Sequence, residues 1–357
     1  MHHDGSLVGT AMSFAVSTSV PGGAVLPAAA VSCVGVRADR TRRGVLTALI
    51  RAQLDDTTAR GEVLSTLWAS EARIYGRFGY GVATRGRSVR VARARGLRPQ
   101  APAGGSVRLL DRAELPTVLP VLYDALALCR PGGITRPEGW WRLATETSGR
   151  DHVLAAVHTG RDGDDGFVVA VPARGDEFVR PLQVADFHAA DPASTAALWG
   201  FLLGVDLTAN VEASMRPLDE PLDLLLADPR DRTVTGEQDE TWLRLVDVPT
   251  ALAARAFPAD PDRGATPVLL AVHDPLLPGN SGVYRLGDGA AERVAPLGGC
   301  AAQLECGVAA LASAYLGDRA PSALAATGWW TVHDPAALSH ADALFATTVA
   351  PWCGTHF

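Results

Sequence analysis

The 357-residue sequence is short of several features that would assign it to a function class. Its five cysteines, Cys33, Cys129, Cys300, Cys306 and Cys353, form no CxxC pair and have no histidine cluster beside them. No metal and no disulfide framework is therefore expected, and a reducing compartment fits. Cys33 sits in an apolar run and reads as a core residue. Positive charge is also scarce: 32 Lys and Arg face 39 Asp and Glu, for a net charge of −7. That argues against a general nucleic-acid binder and suits a cationic partner. The opening MHHDGSLVG has neither the basic stretch nor the apolar core of a secretory leader. No apolar run reaches the roughly 18 residues of a membrane span. A cytoplasmic protein with no nucleic-acid or membrane partner is expected. Its hydrophobic content of 47% gives ample core, and its length allows two or three domains of about 100–200 residues.

What is present centres on Val31 to Ala48, VSCVGVRADRTRRGVLTA. An apolar strand runs into an arginine-rich turn, then Gly44, then an amphipathic helix. Backbone N–H groups and the helix dipole converge on such a turn, and guanidinium forks suit phosphate. The stretch reads as the pyrophosphate loop of an acyl-coenzyme A enzyme. The spacing alone describes a solvated basic β-α turn equally well.

Around it, Leu7 to Val20 sets Met12, Phe14 and Val16 against Ser13, Ala15 and Ser17, a period of two with one buried face. Pro21-Gly22-Gly23 turns the chain into a second strand, Ala24 to Val36, completing a hairpin. Val45, Leu46, Leu49, Ile50 and Leu54 line one face of the helix, which Gly61 ends. Glu62 to Trp68 then returns as a parallel strand. In SEARIYGRFGYG, Ser70 is placed to cap a short helix ending at Tyr75, and Phe78 and Tyr80 return to extended structure. Taken alone, Tyr75 reads as a core tyrosine with its hydroxyl satisfied.

This arrangement is that of the GNAT acetyltransferases. VRADRTRRGVLTAL, followed about thirty residues on by ASEARIYGRFGYGVAT, resembles the Eis (enhanced intracellular survival) family more narrowly, and the likeness covers nearly the whole chain. It implies an α/β (α+β) protein with tandem GNAT-like domains and a sterol-carrier-like domain. The expected boundaries are 1–103, 104–238 and 239–357. It implies acetyl-CoA as co-substrate, a cationic amine as acceptor (an aminoglycoside-like polyamine or a lysine ε-amine), and a homo-oligomer of up to six copies. Val34 and Val36 would present strand backbone to the pantetheine arm. Arg42, Arg43 and Gly44 would hold the pyrophosphate, flanked by Thr41 and Val45. Thr41 stands where the general pattern has Gln or Arg, which removes one phosphate contact. Leu46 stands where Gly or Ala is frequent.

Tyr75 falls on the family's general acid, and a phenol with pKa near ~10 keeps its proton at neutral pH. Phe357 falls on the terminal Phe whose α-carboxylate is the base. His356 replaces the acidic residue usual before it, removing a cation-binding group. Tyr80 ranks behind Tyr75, as a structural residue. GNAT units open with a strand, two helices and a second strand, and few residues precede Leu7. The first unit is expected to lack those elements, with part of the acceptor wall, and to leave apolar sheet surface uncovered. A non-catalytic scaffold or a lipid-binding protein is the alternative on that account.

The second unit repeats the order of the first. Val107 to Leu110 is a strand, and Leu115, Val118, Leu119, Leu122 and Leu126 make a helical stripe. His152 to His158 and Phe167 to Val171 flank the RDGDDG hairpin turn. Gln183 to Ala189, a helix over Thr195 to Leu203 and a strand at Asn210 to Met215 follow. Its turn, HAADPAST, carries neither arginine nor glycine, so no CoA is expected there. In the third unit TWLRLVDV opens a mixed set of strands and helices that resembles the sterol-carrier-like domain, read as a scaffold.

Overall fold

The computed structural model describes all residues except 4, 94, 148–152, 175–178 and 259–266, and statements of absence below are made of the described residues. Residues 1–84, 130–134 and 239–357 form one compact unit; residues 85–129 and 135–238 form another.

The first unit begins with a hairpin. β1 (Gly9–Ser19) and β2 (Val25–Val36) pair antiparallel from Ser19↔Val25 to Gly9↔Val36. The turn needs Gly22, whose φ is +99° and where a Cβ would lie 2.3 Å from the Ala256 Cβ. α1 (Val45–Ala59) crosses over, and β3 (Leu64–Leu67) lies parallel to β2. The helix buries Ile50 and Leu54 against Val31 and Leu67. A short helix α2 (Ala72–Tyr75), a 3-10 turn (Gly76–Phe78) and β4 (Gly81–Val82) follow. The 3-10 turn stands where extended structure was expected at Phe78.

Two expectations for the hairpin need correction. Met12 is 48% exposed; it keeps the register of Phe14 and Val16 but sits on the edge strand at the last pair before the register shifts between Thr10 and Met12. Cys33 is exposed, not core. It lies on the bulged side of β2 at φ +52°, which turns its side chain out of the alternation.

The second unit is built on a seven-stranded sheet. Its strands are β5 (Arg85–Ala92), β6 (Ser106–Leu109), β7 (Leu154–Gly160), β8 (Gly163–Pro172), β9 (Arg180–Ala189), β10 (Thr208–Pro217) and β11 (Arg232–Asp239), in the order β11-β5-β10-β9-β8-β7-β6. β7 and β8 form the expected hairpin; His152, expected at its start, lies outside the described residues. β9, the helix α3 (Pro192–Gly204) and parallel β10 repeat the strand-helix-strand of the first unit. Leu198, Trp199 and Leu202 of α3 pack on Leu182, Phe187 and Val211.

The chain then returns to the first unit. β12 (Trp242–Leu245) lies between β3 and β4, in a five-stranded sheet ordered β1-β2-β3-β12-β4. The boundaries read from sequence divide these sheets differently. A boundary at 103 places β5 with the first sheet, yet β5 pairs with β10. A boundary at 239 places β12 in the third stretch, yet it completes the first sheet. Alternation identifies a strand but not its partner.

Beyond α4 (Val248–Ala254), a second five-stranded sheet contains β13 (Val268–His273), β14 (Gly282–Gly287), β15 (Ala290–Ala295), β16 (Leu304–Gly307) and β17 (Trp330–Val332), ordered β15-β14-β13-β16-β17. Helices α5 (Val308–Tyr315) and α6 (Pro335–Phe345) cover it. Its core is continuous with that of the first sheet: Leu270, Tyr284, Leu311 and Phe345 share one cluster with Ala28, Leu64 and Leu245. Arg255 is buried within this unit. It donates to the Tyr315, Leu344 and Phe345 carbonyls at 2.8, 2.8 and 2.7 Å, at the negative C-terminal ends of α5 and α6. No helix is long and apolar enough to cross a membrane.

Candidate active site

β2 and β3 part company near their ends. Their ladder runs from Ala28↔Leu64 to Val31↔Leu67, after which β2 continues to Val36 with no ladder partner on that edge. Val34 lies at the bulge and Val36 at the last pair with β1. The backbone groups of this segment are thus available at the mouth of the splay.

The turn that follows is open. After a 3-10 turn (Ala38–Arg40), Arg42 has φ +59° and Gly44 φ +80°, both left-handed. Alternating handedness of this kind turns successive N–H groups toward one side. Gly44 caps α1 with no side-chain hydrogen bond, so the first-turn donors of that 15-residue helix have no cap from the chain. Thr41, Arg42, Arg43 and Gly44 are exposed, and Val45 is half-buried. Arg37 is engaged elsewhere, donating to Asp39 at 2.6 and 2.7 Å; that contact holds the Asp39 carboxyl down at about 2. These donors and exposed guanidinium groups fit a pyrophosphate.

The equivalent point of the second unit is closed. Asp191 caps α3 by accepting the Ser194 N–H at 2.8 Å, and the Ser194 hydroxyl accepts the Asp191 N–H at 3.1 Å. The Ser194 backbone N–H, above all, lowers the Asp191 carboxyl pKa. A helix end that caps itself with a carboxylate repels a phosphate and has fewer donors left to offer it.

Tyr75, at the end of α2, is 4% exposed. Burial raises its phenol pKa, opposed by a hydrogen bond with Ser70. Ser70 was expected to cap α2; instead Glu71 stands at the cap without a side-chain bond. Tyr80 is fully buried, with its hydroxyl 2.7 Å from that of Ser65. Burial pushes it up to about 12.

The C-terminus folds back onto this unit. Arg130 donates to the Ala350 carbonyl at 3.0 Å, and the Trp352 N–H donates to the Pro131 carbonyl at 2.8 Å. The Cys353 and Gly354 N–H groups donate to Glu240 at 3.0 and 2.7 Å. The Trp68 indole donates to the Thr355 carbonyl at 3.0 Å. The Phe357 ring meets Phe14 of β1 edge to face, centroids 5.9 Å apart. All sequence-expected site residues therefore fall in one compact unit. Glu240, Trp68 and Arg130 were not foreseen; each is an isolated residue with no motif around it.

Comparison with known proteins bears on the family and the fold. Residues 1–83 and 132–245 each match an acetyltransferase (GNAT) domain family, and residues 248–354 match the sterol carrier protein domain family. An uncharacterized N-acetyltransferase of Streptomyces coelicolor is 38% identical, covering 97% of this chain and 84% of that protein. The N-acetyltransferase Eis of Mycobacterium tuberculosis is 34% identical, covering 96% of this chain and 84% of that protein. The crystal structure of Eis1 from Mycobacterium abscessus superposes with a TM-score of 0.91 at 39% identity, covering all of this chain and 89% of that one. A GNAT protein from Anabaena variabilis shares the fold at 22% identity and a TM-score of 0.85. With two GNAT domains, a sterol-carrier-like domain and relatives alike over nearly its full length, the chain belongs to the Eis family of GNAT N-acetyltransferases, enzymes that use acetyl-CoA.

Proposed function

We propose that this N-acetyltransferase acetylates amines of a cationic acceptor, an aminoglycoside-like polyamine or a lysine ε-amine, by direct attack. The observation that carries the reading is that the open helix end, the buried Tyr75 and the returned C-terminus all belong to one compact unit. Acetyl-CoA supplies an activated acetyl thioester and a thiolate leaving group when bound. Arg42, Arg43 and Gly44 hold its pyrophosphate, with Thr41 and Val45 at the ends of the loop. Val34 and Val36 lend backbone groups to the pantetheine arm, and N–H groups at the bulge steady the developing oxyanion.

The Phe357 carboxylate accepts a proton from the acceptor's ammonium, through water, which frees the amine lone pair to attack the thioester carbonyl. Tyr75 keeps its proton at neutral pH, helped by burial, and delivers it to the departing sulfur. A net charge of −7 favours cationic acceptors. The five free cysteines support a cytoplasmic setting, and the family resemblance supports a homo-oligomer of up to six copies. An acetyl-transfer assay across aminoglycosides, polyamines, a lysine peptide and a neutral amine tests this. Turnover is expected for the cationic amines, and no turnover above thioester hydrolysis with any of them would overturn it.

A further inference from the structure

Two backbone N–H groups of the tail are held by a residue to which the mechanism above gives no part. Glu240 lies in the turn between β11 and β12 and is 1% exposed. One of its oxygens accepts the Gly354 N–H at 2.7 Å; the other accepts the Cys353 N–H at 3.0 Å and the Thr84 hydroxyl at 2.8 Å. A buried carboxylate is costly unless its oxygens are satisfied, and here tail backbone supplies two of the donors. The bonds are charge-assisted and so stronger than ordinary backbone pairs. Trp68, just beyond β3, takes the next rung: its indole N–H reaches the Thr355 carbonyl at 3.0 Å, and its ring lies 4.8 Å from that of His356.

From Ala350 to Thr355 the chain is thus held at five residues, and only two residues separate the last of these from the terminal carboxylate. At about 3.5 Å of reach per residue, fixing Thr355 limits where that carboxylate can stand. A tail in this position does not need its own secondary structure, because side chains from elsewhere read its backbone. Gly354 adapts the path: its φ is +65°, and a Cβ there would meet the Trp352 ring at 2.4 Å.

We propose that Glu240 and Trp68 are positioning residues that set the Phe357 carboxylate in place for proton abstraction. The assignment rests on the reading of Phe357 as the base. Neither residue is asked to touch substrate; each acts through the tail.

The test uses the full chain with Glu240→Gln, Trp68→Phe, a chain lacking residues 353–357, and each substitution in that shortened chain. Glu240→Gln turns one acceptor into a donor facing an N–H, and Trp68→Phe removes one bond while keeping a ring against His356. Each is expected to lower kcat about tenfold, as for loss of a bond of this kind, with KM for acetyl-CoA unchanged. Carboxypeptidase is expected to release Phe357 and His356 about tenfold faster from both variants, read by mass spectrometry. Neither substitution should lower kcat further in the shortened chain.

Unchanged release rates, or equal losses of kcat with and without the tail, would overturn the positioning role. A shortened chain with full kcat would remove the carboxylate base, and the proposal with it. A shortened chain that loses activity while both variants keep it would leave the base standing and sink the positioning assignment alone. Trp68→Phe, at a half-buried site, keeps the question answerable if Glu240→Gln fails to fold.

Discussion

Tyr75 and Tyr80 meet edge to face, with ring centroids 6.0 Å apart and planes at 73°. Five residues apart in sequence, they are committed differently. The Tyr80 hydroxyl is locked against Ser65 at 2.7 Å in full burial, while Tyr75 ends α2 with Ser70 beside its phenol. Tyr75→Phe is expected to lower kcat by roughly 10²–10⁴, the range for a general acid, with little change in acetyl-CoA affinity. Tyr80→Phe should instead cost about 1 kcal/mol of stability through the lost hydrogen bond. Steady-state kinetics and urea unfolding of the two variants separate the roles; a Tyr75→Phe enzyme with unchanged kcat removes the acid assignment.

The parts of the candidate site that stand out in the sequence are local ones. The loop from Arg42 to Gly44 and the IYGRFGYG segment each declare themselves within a dozen residues, through a left-handed glycine, a helix start and clustered aromatics. The second unit's turn, HAADPAST, was readable as different because it carries neither arginine nor glycine; the capping box of Asp191 and Ser194 that closes it emerged only from the structure. What escaped depends on distant partners. Glu240 meets Cys353 and Gly354 across 113 and 114 positions, and no periodicity encodes such a meeting. Cys33 misled because an apolar run was taken for an unbroken strand, whereas a bulge turned the residue outward. Trp242–Leu245 reads as a strand anywhere in the chain; only packing against β3 and β4 decides which sheet it joins.

The open turn before α1 and the self-capped turn before α3 predict a stoichiometry. Titration calorimetry should give one acetyl-CoA per chain. Replacing Arg42 and Arg43 together by Ala should weaken binding by roughly 10- to 100-fold, on the scale of two charge-assisted contacts. Added salt should weaken the wild-type protein more than the double variant, because exposed charges are screened. Two sites per chain, or a double variant that binds normally, would remove the loop from the cofactor site.

Arg255 predicts a structural cost unconnected with the site. Its guanidinium satisfies carbonyls at the ends of α5 and α6 and also that of Ala256, at 3.0 Å, and it lies against the Phe257 and Phe345 rings at 4.9 and 5.0 Å. Arg255→Met fills much of the volume but leaves those carbonyls buried without their donors. A loss of about 3–5 kcal/mol is expected, measured as a lower urea midpoint. A variant within 1 kcal/mol of wild type, on the scale of a single hydrogen bond, would mean the carbonyls find other donors.

His158 makes the second unit sensitive to pH. Its Nδ1 lies 2.5 Å from Asp165 and its Nε2 2.9 Å from the Gly104 carbonyl. Both partners accept, so the doubly protonated imidazolium satisfies the pair best. Burial works against that charge, but the hydrogen bonds to Asp165 and Gly104 outweigh it, and the pKa lies above the ordinary histidine value. A pKa raised in the folded state stabilises fully below the unfolded value, near ~6.5. That contribution is lost as pH rises through the folded value, because the unfolded chain has by then already released its proton. Scanning calorimetry from mildly acidic to mildly alkaline buffer should therefore show the transition of this unit falling by a few degrees. In His158→Gln, which retains one donor and no titrating group, that part of the slope should vanish. An equal slope in wild type and variant would place the titration elsewhere.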